Sequence, residues 1–155
     1  MNSAASARLR VGSRLGGELR VLGAIDPNGR HPVYIAWSTR DWCPVACKLL
    51  PSRKKLGREA RMLAALRHPN IVRILRTGSP PHLVMEFLEG PLLGDLIHDG
   101  PRGRLSVSDA MRVGIHLGAA LSHIHEQGFV HLDVKPWNAV VVRGRPVLFD
   151  LGTAR

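Results

Sequence analysis

Between Glu18 and Leu50 the chain reads strand, turn, strand, turn, strand, and this run constrains the fold most. "ELRVLGAI" is rich in β-forming residues, and Asp26-Pro27-Asn28-Gly29 after it is a strong turn signal. "PVYIAW" at 32–37 is a second strand, "STRDW" turns the chain, and "PVACKLL" at 44–50 is a third strand that stops at Pro51. Turns this short leave no room for a helical crossover, so neighbouring strands must run antiparallel. A helix is predicted over Leu56–Arg67, where Glu59, Met62, Leu63 and Leu66 share one face at spacings of three and four. His68-Pro69-Asn70 ends it, because the residue before a proline leaves the helical region. "IVRIL" and "HLVMEFLEG" supply two more strands around a turn from Thr77 to Pro81. The expectation is an α+β arrangement: a five-stranded antiparallel sheet with one prominent helix.

The pattern changes near Glu89–Pro91, which we read as a boundary between a mainly β part, 18–89, and a mainly helical part, 90–155. "PLLGDLIH" is a short helix. Ser106 or Ser108 can cap a longer one running to about Gln127, with Gly128 at its end and Val113, Leu117, Leu121 and Ile124 as its apolar stripe. "NAVVV" and "RPVLFD" form a small hairpin around Arg143-Gly144. Residues 1–17, rich in Ser, Ala and Arg, read as a frayed tail.

Composition narrows the function classes. The net charge is +10, from 22 Lys+Arg against 12 Asp+Glu among 155 residues. The arginines are scattered and no aromatic stripe runs among them, so the excess reads as a solvated surface and not as a nucleic-acid interface. No apolar run is long enough for a membrane span. Cys43 and Cys47 build no disulfide framework and no second pair completes a zinc site, which suits a reduced, cytoplasmic setting. His123 and His125, two apart on a helix, point to different faces and form no ligand cluster.

Three polar clusters remain. "HLDVKPWN" at 131–138 packs Asp133, Lys135 and Asn138 into eight residues, and "LFDLGTAR" follows with Asp150. "VACK" at 45–48 ends on Lys48, with "REARMLAALRHPNIV" behind it. Together these stretches resemble the eukaryotic-type (Hanks-type) serine/threonine protein kinases, in their bacterial flavour, from about Leu19 to Arg155. The resemblance implies a protein-kinase-like fold, with a complete N-terminal lobe and the first part of the helical C-terminal lobe. It implies ATP and Mg²⁺ as cofactors, and a protein substrate offering a Ser or Thr hydroxyl. Lys48 would bind the phosphates and pair with Glu59, while Ala46 on the same strand face floors the adenine site. Val33 would close that site from above, Met85 would be the gatekeeper, and the backbone of Glu86 and Leu88 would meet the adenine edge. Asp133 would orient the acceptor hydroxyl, Lys135 would sit on the γ-phosphate, and Asn138 and Asp150 would hold Mg²⁺. Lys48, Glu59, Asp133, Asn138 and Asp150 are expected to converge on one cleft.

The sequence also departs from the family pattern. Counting back from Val33, the three glycine positions of the phosphate loop hold Asp26, Asn28 and His31, which predicts weak nucleotide binding. Leu132 stands where an Arg usually precedes the catalytic Asp, and Leu151 replaces the usual Phe after Asp150. The chain stops after its DLG motif, so a truncated domain is expected, with an uncovered helix stripe open to a partner or to self-association. The alternative reading is a catalytically dead, kinase-like module that binds nucleotide or protein.

Overall fold

The computed structural model describes residues 9–26, 31–100 and 103–155; the Pro27–Gly29 part of the expected turn lies outside them. The chain divides into two compact units, one formed by Met1–Ala60 with Ile74–Phe87, the other by Arg61–Arg73 with Leu88–Arg155.

The first unit is built on an antiparallel sheet. Its strands are β1 (Arg14–Leu15), β2 (Leu19–Asp26), β3 (Val33–Ser38), β4 (Cys43–Leu49), β5 (Ile74–Gly78) and β6 (His82–Glu86), in the order β1-β2-β3-β4-β6-β5. The five expected strands are present, and β1 is a sixth drawn from the segment read as a tail. Gly16 and Gly17 adopt left-handed φ values of 61° and 83°, which turns the chain back so that Leu15 pairs with Leu19. Leu15 then joins Leu19, Ala36, Val45, Cys47 and Val84 in the core, so burial fixes this end of the sheet. Burial also pushes the Cys47 thiol up to about 12, which keeps it protonated and unreactive.

Arg76 on β5 ties three parts of this unit together. Its Nε donates to Glu18 Oε1 at 2.6 Å, one terminal nitrogen pairs with the Asp41 carboxylate, and the other donates to Ser38 Oγ at 3.0 Å. The hydrogen bonds from Ser38 and Arg76 hold the Asp41 carboxyl below its ordinary value.

Helix α1 spans Arg53–Ala65, starting three residues before the expected Leu56. Ser52 explains the difference: its Oγ accepts the Lys55 N–H and its carbonyl accepts the Leu56 N–H, so it caps the helix. Glu59, Met62, Leu63 and Leu66 are all buried, in keeping with their common face. Strand β5 begins at Ile74 and not at Ile71, because the preceding backbone is already committed. Val72 N–H donates to Leu148 O, and Leu148 N–H donates to Asn70 O, each at 2.8 Å. At its other end β5 runs through Gly78, since Thr77 and Gly78 still pair with Leu83 and His82.

The second unit holds α2 (Leu93–His98), α3 (Val107–Glu126), β7 (Ala139–Val142) and β8 (Arg145–Leu148). Ser106 is the cap of α3, accepting the Asp109 N–H at 3.0 Å, and Gly128 at φ 78° ends it. β7 and β8 form a two-residue hairpin in which Arg143 and Gly144 both have positive φ, as a turn matched to strand twist requires. On α3, Ala120 and Ile124 are buried, while Val113, Leu117 and Leu121 are half-buried. The open apolar row is a different one: Val107, Met111 and Ile115, spaced by four, are 79%, 61% and 67% exposed. No helix among the described residues is long and apolar enough to cross a membrane.

Candidate functional site

Strand register assembles the sheet-borne residues. Val33 pairs with Lys48, Ile35 with Ala46, and Ala46 with Met85. Residues directly opposite in a sheet share a face, as do residues two apart on one strand. Val33, Ala46, Lys48 and Met85 therefore line one face of the sheet. Lys48 Nζ donates to Glu59 Oε1 at 2.6 Å, and the two residues are only 5% and 4% exposed. Such a pair holds a lysine ammonium in one position where water cannot displace it. Glu86 closes β6 opposite Val45, and Leu88 follows beyond the strand, in the second unit. Asp26 closes β2 opposite Val33, and His31 approaches the Lys55 ammonium.

The loop-borne residues belong to the second unit. Pro136–Asn138 forms a 3₁₀ turn, with Pro136 at its first position, where the missing N–H costs nothing. That turn points Asn138 back at Asp133: Asn138 Nδ2 donates to Asp133 O at 2.9 Å and to Asp133 Oδ2 at 2.8 Å. Lys135 Nζ donates to the same Oδ2 at 2.7 Å. The hydrogen bonds from Lys135 and then Asn138 hold the Asp133 carboxyl below its ordinary value, so it stands as an ionised acceptor. With its nitrogen committed to Asp133, Asn138 keeps its amide oxygen as an acceptor.

Phe149 N–H donates to Asn138 O at 3.0 Å, which registers the end of the hairpin, and so Asp150, against the loop. Asp150 is exposed with φ 58°, a left-handed conformation that Asp tolerates, while the next side chain, Leu151, is buried. The segment after it is laced back onto the loop. Val130 and Arg155 exchange two backbone hydrogen bonds, and Thr153 Oγ1 donates to His131 O at 3.1 Å. His131 is buried, its Nδ1 accepts the Asp133 N–H at 3.3 Å, and burial lowers its proton affinity. Leu132 between them sits at φ 64°, in the left-handed region.

The structure thus brings Asp133, Lys135 and Asn138 into direct contact and ties Asp150 to them through Phe149. Lys48, Glu59, Ala46, Val33 and Met85 are organised separately, in the sheet unit. Two supporting residues were passed over in the sequence. Asn70 donates from Nδ2 to Pro146 O at 2.7 Å and so docks the hairpin, although "HPN" had signalled only a helix end. Gly94 on α2 is covered by the Trp137 ring, a contact that has no local sequence signal.

Asn138 and Asp150 offer hard oxygen donors of the kind Mg²⁺ takes. No group of three or more His, Cys, Asp or Glu capable of holding a metal occurs among the described residues. The donor set therefore fits an ion shared with ligand oxygens, such as those of a phosphate, and not one caged by protein alone.

Comparison with known proteins bears on this constellation. The family model for the protein kinase domain matches residues 31–155. A Streptomyces coelicolor protein named probable serine/threonine-protein kinase is 35% identical over 92% of this chain and 23% of its own length. The serine/threonine-protein kinase PknB of Mycobacterium leprae is 36% identical over 82% of this chain and 23% of its own. PrkC of Bacillus subtilis, also named a serine/threonine-protein kinase, is 30% identical over 93% and 24%. The chain spans about a quarter of the length of these relatives.

Proposed function

The chain belongs to the protein kinase domain family, and from that premise we propose that it serves as a serine/threonine protein kinase, moving the γ-phosphoryl group of Mg-ATP to a protein hydroxyl. The observation that carries the reading is the Asp133–Lys135–Asn138 cluster: one ionised carboxylate, a lysine ammonium on it, and an amide whose oxygen is left for a cation. Phosphoryl transfer asks a protein for positioning and charge more than for covalent chemistry. Asp133 accepts the hydrogen bond of the acceptor Ser or Thr hydroxyl and aims its oxygen at the phosphorus. Lys135 exchanges its bond to Asp133 for one to the γ-phosphate as substrate enters. Lys48, oriented by Glu59, holds the α- and β-phosphates, and Val33, Ala46 and Met85 present an apolar face to adenine, whose edge meets the backbone of Glu86 and Leu88. Asn138 and Asp150 hold Mg²⁺, which when bound offsets the negative charge of the phosphates. The names of the relatives, all serine/threonine-protein kinases, support the Ser/Thr choice of acceptor.

The test is transfer of labelled γ-phosphate from ATP to a generic basic protein. Asp133→Asn should reduce the rate by roughly 10²–10⁴-fold, the range of a positioned acid–base group. Undiminished transfer by Asp133→Asn would remove Asp133 from the chemistry, and with it this reading.

The exposed Val107–Met111–Ile115 row supports a second part of the proposal, that copies of this chain associate through α3. Sedimentation should show a concentration-dependent dimer that Met111→Lys dissociates. A monomer at every concentration would end this part.

A further inference from the structure

His68, in the loop between α1 and β5, and His123, on α3, form an imidazole pair for which phosphoryl transfer has no use. The rings of His68 and His123 stack with centroids 5.5 Å apart and planes 28° from parallel. His68 Nδ1 accepts the Asn70 backbone N–H at 3.1 Å. A ring nitrogen that accepts carries no proton, so His68 is the neutral tautomer with its hydrogen on Nε2. His123 Nε2 is buried and has no hydrogen-bond partner among the described residues.

Asn70 links this pair to the hairpin. Its side chain donates to Pro146 O at 2.7 Å, its carbonyl accepts the Leu148 N–H at 2.8 Å, and Val72 N–H returns to Leu148 O at 2.8 Å. One residue beyond Leu148, Phe149 N–H bonds Asn138 O, and Asp150 follows. A proton on His68 Nδ1 takes the lone pair that the Asn70 N–H uses, and sets a cation against the second imidazole.

We propose that the His68–His123 stack is a pH-sensitive latch: neutral, it holds Asn70 and through it the β8 end of the hairpin; protonated, it lets both go. The groups facing it set the direction. From α3 the titratable neighbour of His68 is His123, and from the hairpin the partners of Asn70 are neutral backbone groups of Pro146 and Leu148. Burial first, and His123 second, lower the proton affinity of His68 below the ordinary 6.5, and no carboxylate acts against them. The latch is therefore closed above pH 6.5 and opens as pH falls through a lower midpoint. It acts on the segment leading to Asp150 whether or not the chain binds a nucleotide.

The experiment is NMR on the 155-residue chain from pH 8 to pH 5, following the His68 ring nitrogens and the exchange protection factors of the Asn70 and Leu148 amides. His68 should titrate below 6.5, and both protection factors should fall at least about tenfold with the same midpoint. His123→Phe keeps a ring in the stack and removes the imidazole that disfavours a proton on His68, so the His68 midpoint should rise. His68→Asn places an amide oxygen where Nδ1 was and cannot titrate, so protection at pH 8 should persist and its pH dependence should vanish. Leu148 protection that ignores pH in the unaltered chain would overturn the latch. So would an unshifted His68 midpoint in His123→Phe, or the same acid loss in His68→Asn.

Discussion

Glu59 keeps one carboxylate oxygen on Lys48 while the other, Oε2, is buried with no hydrogen-bond partner among the described residues. A buried carboxylate in that state depends heavily on its lysine, and removing one member of such a pair costs about 3–5 kcal/mol because it strands the other charge. Lys48→Met should therefore lower the unfolding free energy by about that amount in urea titrations. The double change Lys48→Met with Glu59→Leu should recover most of the loss, since an apolar pair of similar size has no charge to strand. ATP affinity, measured by calorimetry with Mg²⁺, should be weak in the unaltered chain and lost in both variants. Recovery of binding along with stability would show that the ammonium has no role with phosphate. Lys48 and Glu59 were legible in the sequence because a strand motif and a helical face each point to one residue. The left-handed backbone at Leu132 was not, since nothing in the Leu side chain asks for it.

Elements were legible where turn chemistry or a cap punctuates them. The hairpin around Arg143-Gly144 and the Ser106 cap of α3 are written in local residues. The starts of α1 and β5 shifted because of particular competing bonds: the Ser52 cap, and the claim of Leu148 on Asn70 and Val72. β1 escaped notice because two residues make too short a pattern, although Gly16-Gly17 between two leucines was its signal. The packing of α2 on the Pro136–Asn138 turn lies wholly beyond local reading, and it yields a prediction. A Cβ on Gly94 would overlap the six-membered ring of Trp137, which is part of the turn that aims Asn138 at Asp133. Ala is about 1 kcal/mol better than Gly inside a helix, so propensity alone says that Gly94→Ala stabilises. We expect the reverse: lower stability, a displaced Trp137 near-ultraviolet signal and weaker phosphoryl transfer. Adding Trp137→Ala should restore stability by vacating the space. A Gly94→Ala chain more stable than the original would show that the ring moves aside freely.

At the scale of the whole chain, each unit contains a histidine whose environment resists protonation. In the first unit His82 is packed against Gly16 and Gly78 and is buried; desolvation lowers its proton affinity more than the Pro80 carbonyl beside Nδ1 raises it. In the second, burial and His123 do the same to His68. Both have folded values below the ordinary 6.5, so between that pH and the folded midpoints the unfolded chain binds more protons than the folded one. Their contributions are complete above pH 6.5 and are lost as pH falls through the window below it. Asp41 acts lower on the scale: its carboxyl is held below 3.8 by Ser38 and Arg76, so its contribution is present above that pH and is lost as pH falls further. Urea unfolding from pH 8 to pH 3 should therefore show a plateau, a first decline starting near 6.5 and a second below about 4. His82→Asn should remove part of the first decline, while Arg76→Met should shrink the second. Stability that stays level from pH 8 to pH 5 would mean that these imidazoles take up protons in the folded chain as readily as in the unfolded one, and that water reaches both.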